Sequence, residues 1–212
     1  MRKRDLATLV EQLIPHLPRV RVKLPMIAFP PFEELLKGLY FERSGSDVER
    51  FYIWVFFMPL CVPAQHVTFN LGRRIGGGDQ RWDFRDPQLV EKIAFSIKND
   101  AFPFLESIQN SHDAARLALS ISGATTSPHL QQANAYLLAQ SGETNEASKS
   151  LDDLLYLLKL DVPWQAEIAA RARKLKTLLS SPKDAESQIR AWEDESVRNL
   201  GLEEIGFAAT AR

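Results

Sequence analysis

Apolar residues recur along this chain in two rhythms, and the change from one to the other falls near residue 75. The first element is helical. Leu6, Leu9, Val10, Leu13 and Leu17 repeat at the three-and-four spacing of one helix face, with Asp5 placed to cap the start and Pro18 to stop the end. The rhythm then shortens to two. Arg19, Arg21 and Lys23 alternate with Val20, Val22 and Leu24, which predicts a strand with one wet face. Prolines 25, 30 and 31 interrupt the backbone, Glu33–Lys37 reads as a short helical turn, and Leu39–Arg43 as a second, short strand. In Phe51–Met58 both alternating faces are apolar, the pattern of a central strand covered on both sides. His66–Leu71 alternates polar with apolar and is the expected antiparallel partner, reached through a proline-marked turn at Pro59–Gln65.

From Gln88 onward the spacing is helical. Asp86-Pro87 opens a helix over Gln88–Ile97, and Phe102-Pro103 breaks it. Ser111 is placed to cap a helix through Ile121, Ser127-Pro128 opens one that Gly142 ends, and Asn145–Leu160 follows. Two more run over Pro163–Leu179 and from Ser181-Pro182 to Gly201. The expected class is therefore α+β. An N-terminal helix and a small antiparallel sheet over about 19–75 are covered and followed by a C-terminal bundle of about five to six helices. Residues 1–110 form the sheet-bearing part and 111–212 the helical part. The two are expected to pack as one composite unit, because a strand apolar on both faces needs helices on it.

Within the helical part, Gln131–Leu158 (QQANAYLLAQSGETNEASKSLDDLLYLL) resembles a tetratricopeptide hairpin. Gly142 stands as the inter-helix glycine, Ala135 and Leu138 precede it, and Ala147 and Leu151 follow at small-then-large positions. The chain departs from the motif at Gln131, where the family has Trp, and at Lys159, where it has Pro. One period later Lys176 stands where a second copy would need its glycine. What the resemblance implies is a helix pair used for binding another protein.

Composition narrows the classes. Net charge is -1, so no overall field recruits nucleic acid. A single cysteine, Cys61, excludes an intrachain disulfide and points to a reducing, cytoplasmic setting. Asp5, Glu11 and Gln12 interrupt any secretory apolar core, and Phe51–Ala64 is shorter than the roughly 20 residues of a membrane helix.

No motif specifies a chemistry. Cys61 and His66 are the one nucleophile-and-base pair close in sequence, and a pocket near them is the enzymatic alternative. Cys61 lies among Leu60, Val62 and Pro63, which favours a buried, inert thiol. Histidines 16, 66, 112 and 129 have no metal-ligand spacing, so neither metal nor cofactor is expected. Gly76-Gly77-Gly78 lacks the spacing of a phosphate loop. The stretch around it nevertheless collects Arg73, Arg74, Arg81, Trp82 and Arg85, residue types that anchor interfaces and grip anions, and these are the candidate binding residues. Asp79, Asp83 and Asp86 interleave with them and argue against nucleic acid, leaving phosphate or nucleic-acid binding as the weaker alternative. The leading expectation is a non-catalytic cytoplasmic protein that binds another protein.

Overall fold

A computed structural model describes residues 2–77 and 80–207. It shows an N-terminal helix, a six-stranded antiparallel sheet and a series of helices, an α+β architecture. The backbone resolves into two compact units. The first comprises the chain up to Met58 together with Leu71–Ile108; the second comprises Pro59–Asn70 together with the chain from Gln109.

In the first unit, α1 (Lys3–Leu13) buries Leu6, Leu9, Val10 and Leu13, the stripe read from the sequence. Arg2 rather than Asp5 precedes its first turn, and Pro15 lies in a separate tight turn, Ile14–His16. The sheet is a meander in the order β1 (Arg21–Lys23), β2 (Met26–Phe29), β3 (Leu35–Arg43), β4 (Arg50–Pro59) and β5 (Leu71–Arg74). A two-residue β6 (Trp82–Asp83) also pairs with β4, opposite Arg50 and Phe51.

Two expectations need correcting here. Glu33–Lys37 is not helical: Leu35–Lys37 opens β3, which is nine residues long. The partner of β4 is Leu71–Arg74, not His66–Leu71, with Trp54 opposite Arg74 and Phe57 opposite Leu71. Between the two strands the chain leaves the sheet, and Pro59–Asn70 belongs to the helical unit. In that segment the Leu60 and Ala64 carbonyls accept from side chains of a later helix rather than from a strand ladder.

Odd-numbered β4 residues Phe51, Ile53, Val55 and Phe57 are fully buried. The helices of this unit cover that side. α2 (Leu89–Ser96) runs through a π turn (Ile97–Ala101) into α3 (Phe102–Glu106), so the expected break at Phe102-Pro103 is instead a widened turn in a continuous rod. Pro103 supplies no N–H, and a π turn is one way a helix passes such a residue. Phe102 meets Phe29 edge-on at 5.7 Å and Phe104 meets Phe57 at 5.2 Å, seating the rod on the sheet.

In the second unit, α4 (Ser111–Ser120), α5 (Pro128–Gln140), α6 (Thr144–Leu157), α7 (Pro163–Leu178) and α8 (Pro182–Leu200) follow one another through short connections. Asn110 rather than Ser111 caps α4, accepting from the Asp113 N–H at 2.9 Å. α5 is the inner helix, buried continuously from Leu130 to Leu137. Two of its buried amides donate internally: Gln131 to the Ala124 carbonyl at 3.2 Å, and Asn134 to Ser150 Oγ of α6 at 2.7 Å. Gly142, at φ +82°, turns the chain between α5 and α6. Ala135 and Ala147 are fully buried on either side of that turn, where small side chains let two helices approach closely. Tyr136 and Trp192 of α8 stack nearly parallel at 5.1 Å, and burial pushes the Tyr136 phenol well above its ordinary range.

One titratable side chain in this unit ties stability to pH. The His129 ring lies flat on Trp164, centroids 4.9 Å apart, and burial lowers its pKa. The folded state therefore binds fewer protons than the unfolded state. Its contribution is whole above the ordinary imidazole pKa and is lost as pH falls through the folded value. Acidifying from about pH 7 to about pH 5 should lower the unfolding midpoint of the wild type more than that of His129→Gln. Equal acid sensitivity of the two proteins in urea titrations would refute the link.

Candidate functional site

Strand alternation divides the arginine-rich stretch between the two sides of the sheet. Arg73 pairs across from Val55 and shares the side of the α2–α3 rod. There it bonds Asp100 at 2.5 Å and lies over the Phe104 ring at 5.1 Å. Burial alone would raise the Asp100 carboxyl, but the Arg73 guanidinium and the Gly76 N–H, donating at 2.9 Å, outweigh it and hold the pKa low. This is an internal clamp tying the end of β5 to the rod.

Trp82 also lies on that side, opposite Phe51, and is 5 % exposed. It is a core residue and not the exposed anchor its neighbourhood in the sequence suggests. Its ring walls a cleft of about 630 Å³ shared with Gly76, Gln80, Lys92, Phe95 and Ser96. Gly76, at φ +79°, has no room for a side chain: a Cβ there would lie 2.9 Å from Gln80 and 3.3 Å from the Trp82 ring. Arg85 folds onto Asp83, whose carboxylate also accepts from Arg50 at 3.2 Å. The Arg85 bonds to Asp83 hold that carboxyl far below, and the Arg85 guanidinium above, its usual range.

Arg74 and Arg81 are different. Arg74 pairs across from Trp54, on the face opposite the rod. Its guanidinium lies over the Tyr52 ring at 3.6 Å and the Trp54 ring at 5.0 Å. Glu42 of β3 closes the arrangement, accepting from the Trp54 indole N–H at 2.8 Å and from Arg74 at 3.2 Å. Arg81 approaches the same Tyr52 ring at 5.8 Å. Glu42, Tyr52, Trp54 and Arg74 are half-buried and Arg81 is exposed, so three strands and the β5–β6 connection present a cationic aromatic platform.

Of the sequence candidates, then, Arg74 and Arg81 come together, while Arg73, Trp82 and Arg85 are held elsewhere by internal partners. Sequence reasoning missed Glu42, Tyr52 and Trp54, having assigned the even-numbered side of β4 wholly to the core. That side divides: Phe56 and Met58 are buried, whereas Tyr52 and Trp54 are not. The available signal was chemical. Tyr and Trp carry a polar handle that Phe lacks, and they stand where one end of a side chain stays wet.

Cys61 is fully buried and His66 exposed, so the pair does not form an accessible catalytic couple. Tyr156, 91 % exposed, and Trp164 stand on α6 and α7 as a further apolar feature. No helix among the described residues is long and apolar enough to cross a membrane. No family model, curated protein or solved structure matches this chain.

Proposed function

We propose that the chain is a non-catalytic cytoplasmic protein that binds another protein through the Tyr52–Trp54–Arg74–Arg81 platform. The observation that carries this reading is the stacking of Arg74 on Tyr52 at 3.6 Å, fixed by Glu42 and left half-exposed. Trp, Tyr and Arg dominate the energetics of interfaces. A guanidinium already ordered between two rings and a carboxylate loses little side-chain freedom when a partner arrives. The helical hairpin α5–α6, with its tetratricopeptide-like spacing, supports the same class of function, and the burial of Cys61 weighs against thiol chemistry.

Affinity capture from native cell extract tests the reading. Wild-type bait should retain a discrete partner, and Arg81→Ala should lose most of it, because Arg81 is exposed and its truncation leaves the core intact. Trp54→Phe, which keeps an aromatic face and removes the N–H to Glu42, should weaken capture less. Retention of the same partner by Arg81→Ala and Trp54→Ala alike would overturn the assignment of the surface.

A further inference from the structure

Charge at the platform says what kind of partner fits it. Of the cations on and beside it, Arg74 is met by Glu42, Arg85 by Asp83, and Arg50 by Asp47 and Asp83. Arg81 makes no ion pair among the described residues, and its guanidinium lies over the same ring that Arg74 covers. Among the described residues the surface therefore carries two guanidinium groups around one aromatic ring and one carboxylate to balance them. Among the described residues that leaves a single surplus positive charge beside half-buried aromatic rings.

Resting on the reading above, we infer that the partner presents an acidic segment, one carboxylate of which is taken by Arg81 with Arg74 behind it. An apolar or aromatic neighbour of that carboxylate covers Trp54. A guanidinium fork fits a carboxylate in two parallel hydrogen bonds, and a low-dielectric aromatic floor strengthens the pairing. The surplus is too small and too localised for a phosphate backbone, which is tracked by several cations in a row. Glu42 does not oppose the carboxylate, because its charge is engaged by Arg74 and the Trp54 N–H.

The test uses the full chain and fluorescence anisotropy with three labelled probes: a peptide of alternating Glu and Tyr, its Gln–Tyr counterpart, and an oligothymidylate. Wild type should bind the Glu–Tyr peptide about tenfold more tightly than the Gln–Tyr peptide, the worth of one charge-assisted contact. The preference should disappear in Arg81→Ala, persist in part in Arg81→Lys, and fade at high salt. Equal binding of the two peptides, binding of neither, or a preference that survives Arg81→Ala would overturn the acidic-segment inference. So would oligothymidylate binding as tightly as the Glu–Tyr peptide. Those outcomes leave protein binding through the platform to be judged by affinity capture, so failure of the charge argument and failure of the surface assignment read out separately.

Discussion

Phe56→Ala should cost about 3–5 kcal/mol, toward the upper end of what a buried phenylalanine is worth. Phe56 is fully buried at the middle of β4, and its strand neighbours are glycines. Gly72 of β5 pairs directly across from it, and a Cβ built on Gly38 of β3 would come within 3.1 Å of its ring. The ring therefore fills space that side chains on three strands would ordinarily share. Removing it leaves a hole lined on two sides by residues with nothing to rotate into the gap. Nor can the glycines be enlarged in compensation. A Cβ on Gly38 would lie 2.7 Å from the Ile27 carbonyl oxygen, and one on Gly72 would lie 2.9 Å from that of Val55; both are backbone contacts that persist when the ring is gone. Gly38→Ala in the Phe56→Ala background should therefore destabilise further. Urea titration followed by circular dichroism checks both steps. A double variant more stable than Phe56→Ala would show that volume, and not carbonyl contact, limits position 38.

The same strand shows what was legible in the sequence. Periodicity gave its two apolar faces and the helices that follow, because both are consequences of local spacing. It could not give the path after Met58. Pro59–Asn70 contains enough alternation to pass for a strand, and what decides otherwise is a set of bonds to α8, more than 130 positions away in the chain. The candidate site was legible by composition but not by geometry. Arg73 and Arg74 are adjacent in sequence, yet a period of two sends one to Asp100 on the side of the α2–α3 rod and the other to the Tyr52 and Trp54 rings on the opposite side. Which partners each meets depends on what packs against its face, and that is a tertiary fact. Trp82 makes the point from the other side: flanked by arginines and aspartates, it has a polar neighbourhood in sequence and an apolar one in space, opposite Phe51.

Ser196→Ala should loosen the segment that sequence reasoning misplaced. Ser196 is fully buried on α8, and its hydroxyl donates to the Leu60 carbonyl at 2.8 Å, with the Val62 carbonyl next nearest at 3.3 Å. Asn199, one turn later, donates to the Ala64 carbonyl at 3.3 Å. Carbonyls of a segment with no ladder of its own thus accept from one helix, and the buried one, that of Leu60, is a group that cannot be left bare in the interior. Deleting the Ser196 hydroxyl strands the Leu60 acceptor, a loss of about 1–3 kcal/mol. Cys61 lies between the two carbonyls that Ser196 reaches and is itself fully buried, so its thiol reports local opening directly. In wild type, modification by a thiol reagent should be slow and limited by opening of the segment. In Ser196→Ala it should quicken by about ten- to a hundredfold, the kinetic equivalent of that loss when opening precedes reaction. Asn199→Ala, whose bond is exposed, should change the rate far less. An unchanged labelling rate in Ser196→Ala, with a lowered global midpoint, would mean that the serine serves α8 packing and that other contacts hold Pro59–Asn70 in place.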